Sequence, residues 1–228
     1  MPAEPISPRV PRRALGLGLG AVLLEVAAGA FASAAGADAA DDVRMMQAAA
    51  SIENALVSTY GTLLALPVVA GPNANPYLRT LLSAAHAHHA DHASACNDMA
   101  TKLGGRAQTA ANAGLTQIAG DASTSDLGGV IDLALRLETA AAETYQNDLG
   151  LLGDLNARRV AASIMGIEAE HVGLLLLAHA LFTARTPDLL VADSGTAGRL
   201  GPDVATAGFP DSFAKTDQAR PPTEGALR

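Results

Sequence analysis

The sequence predicts an all-α fold, a four-helix bundle made of two antiparallel helix hairpins joined by a long crossover. Three observations carry this. Alanine and leucine dominate a chain that is 49% apolar but only 3% aromatic and has no tryptophan, a mixture that suits closely packed helices better than sheet. Four segments of similar length show apolar residues at i, i+3, i+4 and i+7, the spacing of a buried helix face. The connections between them run short, long, short, and connection length selects among bundle topologies. At 228 residues the chain has enough apolar content for one main core.

Taken in order, residues 1–37 read as an export signal. Arg12 and Arg13 precede the apolar run ALGLGLGAVLL, which leads into small residues with A-x-A sites at 30–32 and 32–34. Basic, apolar, then small is the order of a secretory signal. The arginine pair resembles a twin-arginine signal, with Pro11 and Glu25 as departures from it. Cleavage is expected between Ala30 and Ala39; an uncleaved anchor or a cytoplasmic tail is the alternative.

The bundle is expected over residues 38–183. The first helix runs from Asp41 to Leu66, where Pro67 cannot continue it. The second opens at Asn75-Pro76, a capping residue followed by proline at the first helical position, and closes at Gly104-Gly105. The third begins near Ser125-Asp126 and ends at Gly150. The fourth runs from Asp154 to Phe182, ahead of Pro187. Each spans about 36 to 44 Å at 1.5 Å per residue. The connection between the second and third helices, about twenty residues, reaches about 66 Å when extended, enough to travel the bundle's length. Residues 184–228 are rich in Pro, Gly, Asp and Thr, lack periodicity and read as an irregular tail, with FPDSF (209–213) docked on the bundle.

The chemistry lies in a repeat. IENALVSTY on the first helix and LETAAAETY on the third each place a tyrosine seven positions after a glutamate, Glu53 to Tyr60 and Glu138 to Tyr145. HHADHA on the second helix and IEAEHV on the fourth then align at His92 and His171, with His89 standing where the other copy has Glu168. Glu53, Glu138 and Glu168 fall in the middle of apolar stripes, where an unpaired carboxylate costs several kcal/mol. A metal ion offsets that cost. His86 and His88 are alternative ligands beside His89 and His92. Asp91, Glu143 and Glu170 read as solvated or outer carboxylates, His179 as structural, and Cys96, Tyr60 and Tyr145 as core residues, the tyrosines two turns from the site.

With a glutamate on one helix of each hairpin and a ligand-x-x-His motif on its partner, the chain resembles the ferritin-like superfamily, including rubrerythrins and exported ferritin-like proteins. The resemblance covers roughly residues 41–183. It implies a site for iron or manganese ions, one or two of them, built from Glu53, Glu138, Glu168, His171, His92 and His89, with Glu53 within a helix diameter of Glu168. The family has a glutamate where His89 stands. A neutral imidazole does not bridge two ions as a carboxylate does, so one bridging carboxylate is lost.

Three carboxylates and three imidazoles suit iron, manganese or zinc. The net charge of −8 argues against nucleic acid or an anionic membrane surface as the main partner. The single Cys96 excludes an intrachain disulfide and a cysteine-built zinc site. Two functional readings stand. One is an exported metal-binding protein with iron- or manganese-dependent redox chemistry. The other is a non-catalytic module with a degenerate or mononuclear site, acting as an envelope binding or interaction protein. The sequence leaves the oligomeric state open, a homodimer included, as it does catalysis.

Overall fold

The computed structural model describes residues 39–184 and 212–213. The expected export signal at 1–37, and all of the tail but Ala184, Ser212 and Phe213, lie outside the described residues. Six helices are present among them: α1 (Ala39–Ala65), α2 (Pro67–Ala70), α3 (Pro76–Lys102), α4 (Ala113–Asp121), α5 (Leu127–Leu149) and α6 (Leu155–Thr183). The four long ones match the expected helices to within about two residues, the usual uncertainty of a helix end.

Local chemistry sets these boundaries. Asn75, Asp126 and Asp154 each sit just before a helix in extended backbone and accept from its first-turn amides, satisfying donors that have no intrahelical partner. Gly104 ends α3 at φ 89, a left-handed conformation that favours glycine. There Gly104 N–H donates to Thr101 O and Gly105 N–H to Ala100 O, the pairing of a Schellman turn. Pro67 does stop α1, but it also opens α2 as that short helix's first residue.

Side-chain contacts give the topology. α1 packs mainly on α3, and α5 on α6; the two hairpins meet with α1 beside α5 and α3 beside α6. Tyr60 of α1 bonds Glu138 of α5, while Tyr145 of α5 bonds Glu53 of α1, so α1 and α5 run antiparallel. His88 faces His171 and His92 faces Glu168, so α3 and α6 do too. With α1 antiparallel to both α3 and α5, the latter two point the same way, and the chain between them must return along the bundle. It does so through α4, which the sequence did not announce. Residues 106–112 are tied to α1 and α3 by Gln47 Nε2 to Arg106 O (2.7 Å), Asn54 Nδ2 to Gln108 O (2.9 Å) and Asn97 Oδ1 from Gln108 N–H (2.7 Å).

Two apolar clusters fill the interior, and the polar cluster described next lies between them. One contains Leu56, Leu63, Leu81, Leu82, Ile131 and Leu137; the other contains Met46, Cys96, Met99, Leu152 and Ile164. Each fully buried residue of this size contributes about 1.5–3 kcal/mol, which offsets the cost of burying charge between them. Asp42 pins the second hairpin to the start of α1: its two carboxylate oxygens accept from Gly153 and Asp154 N–H, both at 2.8 Å. α6 is long and apolar enough to cross a membrane by composition, and its Glu168 and His171 are buried against α3 and α5.

Candidate metal centre

Glu53, His89, His92, Glu138, Glu168 and His171 all converge between the four long helices, none of them more than 1% exposed. Their heptad-like spacing puts each on its helix's inward stripe, and the antiparallel packing brings the stripes to one level. The donors fall into two overlapping groups of four, Glu53–His89–His92–Glu168 and His89–Glu138–Glu168–His171, with ligand atoms within 4.8 Å of one another in each. His89 and Glu168 belong to both.

The arrangement has near two-fold symmetry. Glu53 Oε1 accepts from Tyr145 O–H at 2.7 Å, and Glu138 Oε1 accepts from Tyr60 O–H. Each tyrosine thus reaches the glutamate of the opposite hairpin. This corrects the expectation that the phenols lie two turns away: each is two turns from the glutamate on its own helix, but antiparallel pairing delivers it to the other one. Burial, then the adjacent carboxylate, raises both phenols well above their ordinary pKa, so they remain donors. Cys96 Sγ lies 3.4 Å from Tyr145 Oη. With the phenol proton committed to Glu53, the thiol is the donor there. Burial, reinforced by Glu53, pushes that thiol up to about 12.

His89 is the centre of the symmetry. Its Nδ1 is 2.9 Å from Glu53 Oε2 and its Nε2 3.0 Å from Glu138 Oε1. Both acceptors are carboxylates, so both nitrogens donate and the ring is an imidazolium. Burial alone would lower its pKa, but Glu138 and Glu168 overcome burial and raise it well above the ordinary histidine value. Glu53 responds in kind. Burial would raise it, but the hydrogen bond from His89 and the nearby His92 ring hold it at about 2. Glu138 is likewise held well below its usual range, against burial, by His89 and His171.

His92 and His171 complete the two halves. His92 Nδ1 lies 2.8 Å from Glu168 Oε1 and 3.6 Å from Glu53 Oε2; His171 Nδ1 lies 3.2 Å from Glu138 Oε2 and 3.8 Å from Glu168 Oε2. Burial would lower both rings, but the facing carboxylates raise each to about 9. Glu168 is different. Neither of its oxygens, nor His92 Nδ1, has a hydrogen bond; the 2.8 Å approach to His92 is an ion-pair distance outside hydrogen-bonding geometry. Burial, then Glu53 and Glu138, raises its pKa. A carboxylate wholly buried with neither oxygen hydrogen-bonded is costly even beside charged rings. A cation between the halves would satisfy it.

Other residues sort themselves around this cluster. His88 is buried, with Nδ1 3.2 Å from His171 Nε2. Burial, then the neighbouring imidazoles, lowers it to about 4, so it is a neutral partner that supports His171. His86 is half-buried beside Gly61 and belongs to neither group. Glu143 and Glu170 are exposed. His179 pairs with Asp132 at 3.2 Å near the surface. Ser212 and Phe213 dock over His92, with Ser212 O 2.7 Å from His92 Nε2 and the Phe213 ring 5.5 Å from the imidazole. Of FPDSF, Ser212 and Phe213 dock on the bundle as expected, and residues 209–211 lie outside the described residues; the contact with a site histidine was not legible.

Two antiparallel hairpins enclosing a carboxylate–imidazole cluster define the class of helical bundles that can hold metal ions in their core. Residues 21–179 match the family model for the ferritin-like domain, and the chain belongs to that family. No curated protein and no solved structure gives a significant match to it.

Proposed function

We propose that the chain is an exported protein that binds one or two iron or manganese ions, with zinc as the alternative, through Glu53, His89, His92, Glu138, Glu168 and His171. The observation that carries this reading is Glu168, wholly buried with no hydrogen bond on either oxygen. Its Oε1 faces the His92 half and its Oε2 the His171 half, so one carboxylate serves both. Each half offers two nitrogens and two oxygens, a donor set suited to these metals. With His89 in place of a second shared carboxylate, one negative charge is missing. Two dications are then poorly balanced, and the ions bind unequally. The tighter one is assigned to Glu138, Glu168 and His171.

Iron or manganese held here would supply electron-transfer chemistry toward oxygen or peroxide. The protein's own part is to exclude water with its two apolar clusters, to fix Glu53 and Glu138 with Tyr145 and Tyr60, and to release histidine protons as the metal enters. The second reading, a non-catalytic envelope module, is favoured by one specific observation. His89, His92 and His171, all protonated at neutral pH, face Glu53, Glu138 and Glu168, so the three carboxylates are balanced in charge without metal. Ferrous ion added anaerobically, followed by oxygen, separates the two. An oxygen-dependent absorption change supports redox chemistry, and bound iron with no such change supports the module.

Export is supported by the basic, apolar and small-residue order of residues 1–37. Replacing Arg12 and Arg13 by lysine should block export by the twin-arginine route. An intact Met1 or Pro2 terminus on envelope-fraction protein would overturn cleavage.

A further inference from the structure

His92 and His171 occupy equivalent places, yet what stands behind them differs. Behind His171 Nε2 is His88 Nδ1 at 3.2 Å, a residue of α3 within the bundle. Behind His92 Nε2 is the backbone carbonyl of Ser212 at 2.7 Å, contributed from 120 residues away. A carbonyl only accepts, so the His92 proton in that bond sits on Nε2. In the neutral ring the lone pair is then on Nδ1, the nitrogen that faces Glu53 and Glu168. Two further contacts hold the carbonyl in place. Ser212 O–H donates to Asp91 Oδ2 at 2.7 Å, on the residue preceding His92. Phe213 covers the imidazole at 5.5 Å and packs into the apolar cluster around Met46, Cys96 and Met99.

From this juxtaposition we infer that the C-terminal segment Ser212–Phe213 is a built part of the metal centre. The Ser212 carbonyl is a positioning group that fixes His92 as an Nδ1 ligand, and only the Glu53–His92 half of the site depends on it. Behind His171, among the described residues, stands His88 of α3. The hydrogen bond behind a ligating histidine sets its tautomer and ring orientation, and losing it costs about 10- to 100-fold in metal affinity. The inference rests on the metal-binding reading and adds to it that the His92 half depends on Ser212 and Phe213.

The test is zinc titration by calorimetry on the full chain, comparing wild type with a Ser212→Ala/Phe213→Ala double variant and with Asp91→Ala. Circular dichroism checks the helical fold. Asp91→Ala removes one exposed tether and serves if the double variant does not fold. Nitrogen-15 spectra of the zinc-loaded, histidine-labelled chain supply a second readout. In wild type His92 should show Nδ1 bound and a slowly exchanging Nε2 proton. The expected result is that one binding event weakens by about 10- to 100-fold with loss of that proton signal, while any other event is unchanged. Unchanged affinity in all events, or equal weakening of every event, overturns the inference and leaves metal binding standing. A wild-type chain that takes up no zinc, ferrous or manganous ion removes the inference together with the reading beneath it.

Discussion

Replacing His89 by glutamate is the sharpest perturbation of the site, because it should move metal-free stability and metal affinity in opposite directions. The imidazolium of His89 donates to Glu53 at 2.9 Å and to Glu138 at 3.0 Å, all three groups being fully buried. Each charge-assisted hydrogen bond contributes about 1.5–3 kcal/mol. His89→Glu removes both and adds a fourth carboxylate to the cluster, so the metal-free variant should lose on the order of 5 kcal/mol. For a chain of this size each kcal/mol shifts the melting temperature by about 2–4 °C, giving a fall of about 10–20 °C. In the metal-loaded form the sign reverses. The added carboxylate restores the charge missing for a second dication, and the weaker binding event should strengthen at least about tenfold, or 1.4 kcal/mol. Thermal melts with and without manganous ion, joined to calorimetric titration, read both effects. A metal-free variant as stable as wild type, or a second event no stronger, would mean that His89 is not the central cation of this cluster.

Three other predictions follow from contacts away from the metal-binding atoms or from their protons. Asp42→Ala leaves the Gly153 and Asp154 amides without their acceptor and should cost about 2–4 kcal/mol in urea denaturation, with metal stoichiometry retained. Tyr145→Phe strips Glu53 Oε1 of its donor and should cost about 1–3 kcal/mol in the metal-free protein; no loss would place that hydrogen bond outside the energetics of the site. In the metal-free protein His92 and His171 titrate at about 9 rather than the ordinary 6.5. Their folded pKa is raised, so the stability they contribute is full below about 6.5 and is lost as pH rises through 9. Metal affinity should climb over the same window because fewer protons need displacing. Denaturation and metal titration at pH 6, 7.5 and 9 check both slopes, and a metal-free chain that grows more stable toward pH 9 would contradict them.

How much of this was legible in the sequence divides along a physical line. Caps and breakers act locally, so Asn75-Pro76, Asp126, Asp154 and Gly104 marked the long helices to within about two residues. The six clustered residues were legible because the same spacing occurs twice in the sequence. What depends on which helices face one another was not legible. The tyrosine contacts require knowing that α1 and α5 are antiparallel neighbours, although the repeated Glu-to-Tyr spacing was itself a signal that the phenols mattered. His88 lies one turn before His92, a spacing that pairs it with that residue as an alternative ligand; the packing of α3 on α6 turns it to His171 instead. Ser212 offers a backbone carbonyl, which every residue has, so no side-chain pattern could have singled it out. α4 has only nine residues, too few for a clear period inside a Gly- and Ala-rich connection.

Metal binding by the buried cluster, as proposed above, turns on Glu168. The most direct measurement is an anaerobic titration of the full chain with ferrous or manganous ion, counting bound ions per chain for wild type and for Glu168→Gln. The glutamine keeps size and shape but removes the shared charge. One or two ions in wild type, and none or only weakly bound ion in the variant, is the result expected. No bound ion in wild type, or the same count and affinity in Glu168→Gln, would contradict the account.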